Sequence, residues 1–385
     1  MAKKNELAKL TSIFGAVDKM NPDASILEDN NLSTVDEWIS TGCYALNAII
    51  SGSLYKGIPK GRITGFAGPS MSGKTFIINK CIANAQKDGY IAAIWDSEVA
   101  VDKKGAVGVG VNPAKVKHYP VESVEDCRNQ ICATLDGLIK YNENLEEKDK
   151  MKLIISIDSL GNLASSKELK DAEAGKDATD TGTRAKAIKS MMRVLTYKAA
   201  KAKVPILFSN HIYEGMEMFP SLVKTQSGGK GPIYLASVLV QLSTRNEKTS
   251  ENDGAVALAN SHNISGVTLG ALTIKNRFVP SFLKTELYLN FKTGLDPYAG
   301  LFELAEAFEV IKKAEKGYNF LFKGVSIGKK KEFEKSKEVW DKVMPDLEKV
   351  LNEKLCYGGG DSEEIEKIID ELEDDEDPNY VTDNE

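Results

Sequence analysis

Arg62-Ile-Thr-Gly-Phe-Ala-Gly68-Pro69-Ser70-Met71-Ser72-Gly73-Lys74-Thr75 is the stretch on which the reading of this chain turns. Its first half, Arg62–Ala67, is a short apolar strand. Its second half has the spacing G-x-x-x-x-G-K-T and opens a helical stretch over 74–88, the strand–loop–helix context a phosphate-binding loop requires. Gly68 and Gly73 permit a tight backbone turn. The intervening Pro69, Ser70, Met71 and Ser72 then wrap phosphate oxygens with backbone N–H groups at a helix N-terminus. Lys74 adds positive charge near the β- and γ-oxygens, and the Thr75 hydroxyl is placed to ligate Mg²⁺. A nucleoside triphosphate with Mg²⁺ is the expected ligand.

Outward from this loop, short apolar strands alternate with helical stretches from Ile39 to about Gly300. The strands are expected at 91–96, 153–158, 206–210, 238–242, 270–274 and 286–291, and further helices at 122–141 and 184–202. Continuous apolar strands separated by helices predict a mostly parallel sheet covered on both faces. The closer spacing of the last strands predicts antiparallel additions at one edge. Two strands end in acids where such a sheet binds ligands. Leu153-Ile-Ile-Ser-Ile-Asp158 supplies a second carboxylate for Mg²⁺. Ile91-Ala-Ala-Ile-Trp-Asp96-Ser-Glu98 supplies a general base for the attacking water, with Glu98 preferred because Asp96 lies nearer the packed strand.

Composition sets the frame. The 385 residues are 42% hydrophobic and 28% charged, ordinary for a soluble globular protein. No run approaches the ~18 apolar residues of a membrane span, and the start lacks a secretory apolar stretch. Five cysteines without Cys-x-x-Cys spacing predict neither a disulfide framework nor a zinc site. A reducing cytoplasm is the expected location. The net charge of −6 is unevenly spread: residues 361–385 carry −12, which leaves +6 on the first 360.

Beyond the phosphate loop, Ile39-Ser-Thr-Gly42, Gly57-Ile-Pro-Lys-Gly-Arg62 and Ser227-Gly-Gly-Lys230 with Tyr234-Leu-Ala-Ser-Val238 resemble the RecA-type recombinases. Asp158-Ser-Leu-Gly-Asn-Leu-Ala-Ser165, Asn210-His211-x-Tyr-Glu and Asp296-Pro-Tyr-x-Gly-Leu301 resemble the UvsX-type phage members in particular. The likeness covers about residues 38–305. It implies an α/β fold: a P-loop ATPase core with a mostly parallel mixed sheet flanked by helices, an N-terminal helix and a small C-terminal lobe. It also implies ATP-dependent assembly into helical filaments on single-stranded DNA, with homologous pairing and strand exchange on double-stranded DNA. A single-strand-binding protein and a loader or mediator are the implied partners.

Residue by residue, the resemblance places Glu98 at the catalytic glutamate, Asp158 at the second-motif aspartate and His211 at a polar sensor of the γ-phosphate. Lys275 and Arg277 fall where relatives carry cations that reach the adjacent subunit's ATP. Segments 167–183 and 213–232 correspond to two DNA-binding loops. The first is too polar to join a core. The second interleaves Tyr213, Met216, Met218 and Phe219 with Lys224, Gln226, Lys230 and the glycines Gly228 and Gly229: its cations track a backbone and its apolar groups meet bases. Arg184, Lys186, Lys189 and Arg193 follow on a helix, as DNA contacts or as a solvated face. Asp102 is expected to contact the base, but Gly105 stands where the family has a stacking tyrosine.

The domain expectation is an N-terminal helix and linker over 1–37, the core over 38–300, a mainly helical lobe over 301–360 and the acidic tail over 361–385. The amphipathic stretch 3–20 docks either on its own core or on a neighbour, and the tail either competes for the cationic groove or solubilises. A ring-forming motor of the same fold and an ATP-switched binding mediator remain alternatives; a nucleotide kinase is the last of them.

Overall fold

The computed structural model describes residues 13–27, 30, 32–176, 182–213, 223–248, 264–334 and 336–356. The expected Phe219, Met216 and Met218, the residues 1–12 and the tail 361–385 lie outside the described residues. Two compact units divide the chain, Met1–Asp36 and Glu37–Glu385. In the first, residues 13–18 are helical, with Ile13, Phe14, Val17 and Met20 exposed.

In the second unit the strands are β1 (Trp38–Ile39), β2 (Ile58–Pro59), β3 (Ile63–Gly68), β4 (Ile91–Asp96), β5 (Val116–Pro120), β6 (Leu153–Asp158), β7 (Ile206–Tyr213), β8 (Thr225–Gln226), β9 (Val238–Lys248), β10 (Ile264–Asn276), β11 (Lys284–Asn290) and β12 (Gly294–Leu295). Between them lie α1 (Tyr44–Ser51), α2 (Lys74–Lys87), α3 (Lys103–Val109), α4 (Val124–Asn142), α5 (Ser166–Glu173), α6 (Thr183–Ala202) and α7 (Gly231–Leu235). The main sheet runs β12-β11-β10-β9-β3-β7-β6-β4-β5, with β8 paired to β7. From β9 through β5 every pairing is parallel; β10, β11 and β12 add antiparallel at one edge. That is the sheet the apolar runs predict.

Strands β3, β4 and β6 are predominantly apolar because helices cover both faces. On one face Phe66, Ile94, Ile154 and Leu207 meet Ile77, Ile78 and Cys81 of α2 and Leu46 and Ile49 of α1. On the other, Ala67, Trp95, Ile155 and Phe208 meet Ile131 and Leu135 of α4 and Met191, Met192 and Leu195 of α6. Helix α4 starts where the Ser123 hydroxyl accepts the Asp126 N–H, and α5 carries a full Ser165/Glu168 capping box.

Within the lobe expected to be mainly helical over 301–360, strands interrupt the helices. Helix α8 (Leu301–Ala307) stops early, Glu309 adopts φ +59°, and a three-stranded antiparallel sheet follows: β13 (Ile311–Lys313), β14 (Asn319–Phe322) and β15 (Val325–Lys329). Short α9 (Lys330–Phe333) and long α10 (Lys337–Leu355) complete it. Trp340, Val343, Leu347 and Leu351 pack with Leu301, Phe302, Ala48 and Leu54, a third apolar cluster that ties α10 to α1. Glu348 of α10 adds a polar clasp, accepting the Leu54 N–H at 2.6 Å and the Ser53 hydroxyl at 2.5 Å. Glu348→Ala strands that amide, so it should lower stability by ~1–3 kcal/mol, read as a shift of the denaturant midpoint. An unmoved midpoint would show that the apolar cluster alone holds the helix.

Candidate nucleotide site and nucleic-acid interface

Register brings the predicted nucleotide residues together. At the carboxyl ends of the parallel strands Gly68 of β3 pairs with His211 of β7, and Asp96 of β4 pairs with Asp158 of β6. The loop from β3 into α2 is built to take phosphate. Gly73 has φ +75°, a conformation glycine takes without cost. A Cβ on Gly68 would lie 2.4 Å from Ser72 Oγ, so the turn closes only with glycine. The buried Ser72 hydroxyl has no hydrogen-bond partner, an orphan that a phosphate oxygen would satisfy. Met71 points outward, exposed. Lys74 folds back over the loop, its Nζ donating to the carbonyls of Gly68 (3.0 Å) and Pro69 (2.7 Å). Burial pushes its ammonium below the usual lysine value against the pull of Asp158 and Glu98.

The donor set also fits Mg²⁺. Thr75 Oγ1 donates to Asp158 Oδ2 at 2.8 Å, and Ser209 donates to the other oxygen. Burial drives the Asp158 carboxyl upward, with Glu98 and Asp96 adding to it and the two hydroxyls opposing. A divalent cation beside that carboxylate relieves the same penalty. Among the described residues no cluster of three His, Cys, Asp or Glu side chains forms a metal cage.

Glu98 follows β4 on a turn and faces two donors: Ser159 Oγ at 2.6 Å and His211 Nε2 at 3.0 Å. Burial alone would push its carboxyl up. The bonds from Ser159 and His211, with the charges of His211 and Lys74, hold it below the ordinary glutamate value instead. It is thus ionised at neutral pH, as a proton acceptor must be. Sequence reasoning missed Ser159 and Ser209, which lie within or just after the β6 and β7 runs and show no pattern of their own. Asp102 caps α3, its Oδ1 accepting the N–H groups of Lys104 and Gly105.

Strand β7 carries His211 straight into the second loop. Residues Ile212 and Tyr213 pair with Gln226 and Thr225 of β8, so the loop is a hairpin whose first arm is the strand that touches Glu98. Asn210 donates to Gln226 Oε1 (3.2 Å) and to the Ser227 carbonyl (3.0 Å), locking the hairpin base. Gly228 and Gly229, at φ +80° and +71°, run against Ile188 and Ala185 of α6. Lys230 is exposed at the start of α7; Lys224 is half-buried. On α6, Lys186, Lys189 and Arg193 recur at i, i+3 and i+7 and are all exposed, opposite the buried Ile188, Met191 and Leu195. Arg184 differs from them: its Nη2 donates to Ser227 Oγ at 2.6 Å, tying α6 to the hairpin.

Lys275 and Arg277 are not with the others. Strand β10 runs against β9, and Asn276 pairs with Val238, which pairs with Thr64 at the start of β3. Arg277 accordingly lies near Arg62, and Lys275 donates to the Tyr234 carbonyl. The two cations occupy the amino edge of the sheet, about 13 Å along β3 from Gly68 at ~3.3 Å per residue.

A model of the RecA N-terminal domain matches residues 8–296. The chain is 31% identical over 275 residues to the "Recombination and repair protein" of Enterobacteria phage T4, covering 71% of this chain but 64% of that protein. It is 28% identical over 323 residues to a "Protein RecA" of Thermus thermophilus, covering 84% and 86%. With "Protein RecA" of Paenarthrobacter aurescens it shares 27% over 360 residues, 92% and 94% of the two chains. A phosphate loop, a carboxylate pair and a histidine strand that becomes a hairpin, set on this sheet and matched over this length, leave one conclusion: the chain belongs to the RecA family.

Proposed function

We propose that this chain is an ATP-dependent DNA recombinase acting in recombination and repair. It is a DNA-dependent ATPase that forms a filament on single-stranded DNA and exchanges strands with a homologous duplex. The observation that carries the reading is the continuity of β7: His211, 3.0 Å from Glu98, and the hairpin with the Gly228–Lys230 turn belong to one strand and its return. A change at the nucleotide is therefore a change at the base of the DNA loop.

In this reading Gly68–Thr75 hold the triphosphate, and Thr75 with Asp158 hold Mg²⁺. The ion supplies charge neutralisation at the β- and γ-oxygens when bound. Glu98 takes a proton from the attacking water. His211, by turning from Glu98 toward the γ-phosphate, reports its presence and frees the base, and the base of the hairpin shifts with it. Lys186, Lys189 and Arg193 track phosphates without sequence readout, together with Lys224, Gly228, Gly229, Lys230 and the apolar Phe219. Arg184 braces the hairpin to that helix. Lys275 and Arg277 complete the neighbour's site. The division into an N-terminal arm (1–37), core (38–300), C-terminal lobe (301–360) and acidic tail (361–385) belongs to the same reading, as do single-strand-binding and loader partners and a location in the host cytoplasm. Among the described residues no helix is long and apolar enough to cross a membrane.

The test is ATP hydrolysis with and without single-stranded DNA, paired with negative-stain imaging. Stimulation by DNA together with helical polymers is expected. Turnover indifferent to DNA by isolated protomers would overturn the proposal.

A further inference from the structure

We propose that His118, on edge strand β5, is a positioning residue for hydrolysis: it holds the Asp96 carboxylate that in turn fixes the turn presenting Glu98. The inference rests on the reading of Glu98 as the base, and it adds a residue that no motif marks.

Asp96 ends β4 and is 1% exposed. Its Oδ1 accepts the Glu98 N–H at 3.0 Å, and its Oδ2 accepts the Val101 N–H at 3.0 Å. One carboxylate thereby spans the whole turn from 97 to 101. The turn needs such an anchor. Val99 within it is exposed and sits at φ +52°, left-handed backbone that a β-branched residue rarely adopts and that persists only where its surroundings impose it.

The third partner of that carboxylate comes from the neighbouring strand. His118 Nε2 lies 3.1 Å from Asp96 Oδ2. An ionised carboxylate only accepts, so the ring must present Nε2–H to it. Strand β5 is itself pinned: Tyr119 stacks on Trp95 of β4 at 4.8 Å, and Ile94 pairs with His118 in register. Glu98 is thus located from two sides. Ser159 and His211 fix its carboxylate from the β6 and β7 side; Asp96, backed by His118, fixes its backbone from the β4 and β5 side. Removing the imidazole takes one donor from a buried carboxylate and loosens the turn, a displacement that hydrolysis feels far more than binding does.

The experiment compares wild type, His118→Leu, His118→Gln and Glu98→Gln for kcat and KM of ATP hydrolysis on single-stranded DNA, for DNA affinity and for thermal midpoint. His118→Leu is expected to lower kcat by about 10–100-fold, with KM for ATP and DNA affinity within about twofold of wild type. His118→Gln, whose Nε2 amide can donate to the same oxygen, is expected to return kcat to within about threefold. If the leucine variant does not fold, His118→Asn serves, being one methylene too short to reach: active Gln and impaired Asn support the inference. Unchanged kcat in the Leu or Asn variant, a loss expressed in KM, or equal impairment of Gln and Leu with a lowered thermal midpoint would overturn it. Glu98→Gln that still hydrolyses ATP would sink the reading of Glu98 as well. An inactive Glu98→Gln beside a fully active His118→Leu would sink the role of His118 alone.

Discussion

Glu98→Gln will stop ATP turnover while single-stranded DNA stays bound. Glutamine has the same shape, and its Oε1 can still accept from Ser159 and from His211, which lie 2.6 and 3.0 Å from the native carboxylate. The positions of β6 and β7 should therefore survive. What disappears is a charged proton acceptor, worth about 10²–10⁴ in rate for general-base catalysis. The cations proposed to meet DNA, Lys186, Lys189 and Arg193, lie on the exposed face of α6, a different element from the turn that carries Glu98. DNA affinity in the presence of ATP should accordingly match wild type or exceed it, because the step that releases the strand is blocked. Phosphate release under single-turnover conditions and fluorescence anisotropy of a labelled oligonucleotide measure the two arms. Retained hydrolysis would remove Glu98 from the mechanism. Lost DNA binding would show that the carboxylate is structural.

Glu98 was legible because its signal is local. A glycine pair at fixed spacing, a lysine and hydroxyl at a helix start, and acids closing apolar strands are all contiguous in the chain, so Gly68–Thr75, Asp158 and Glu98 stand out unaided. The sheet centre was legible for a related reason: strands buried on both faces read as near-continuous apolar runs with few polar positions. Edges obey other rules. Val116-Lys-His-Tyr-Pro120 is largely exposed and has two polar residues at its centre, so β5, and His118 with it, carries no apolar run. Strands β13–β15 are three to five residues long, too short for periodicity to separate them from helix or loop. Contacts such as Arg184 to Ser227 or Glu348 to Leu54 join residues 43 and 294 positions apart. Only the folded chain brings them together. The charge pattern on α6 shows where the difference lies: spacing marks Lys186, Lys189 and Arg193 as one face, while Arg184 on the same helix is turned inward by a partner no spacing reveals.

Replacing both Lys275 and Arg277 by alanine will cut DNA-stimulated turnover by about 10³-fold or more, the scale of a cation supplied in trans to a γ-phosphoryl group. The sheet makes this a two-protomer experiment. Both residues sit at the amino edge while Lys74 sits at the carboxyl edge, so neither can serve the nucleotide of its own chain. A Lys275→Ala/Arg277→Ala protomer keeps an intact phosphate loop, and a Lys74→Ala protomer keeps intact cations. Mixed in equal amounts in a head-to-tail polymer, two inactive proteins should recover about a quarter of the wild-type rate, the share of junctions that join one good half to the other. No recovery would mean that the cations act within their own chain or not at all. The lysine adds a dependence on pH that the arginine lacks. Burial, and then the neighbouring Arg277, push the Lys275 ammonium down to about 8 in the free protomer. A partner's phosphate favours the charged form and raises that value again. Above pH 8 each new junction must therefore take up a proton, and assembly should weaken about tenfold per pH unit until the usual lysine value near ~10.4 is reached; below 8 the dependence vanishes. Lys275→Arg, charged throughout this range, should flatten the slope between about pH 8 and 9.5 in sedimentation of ATP-bound polymer. The same slope in both proteins would place the titrating group elsewhere and leave Lys275 a neutral strut beside Tyr234.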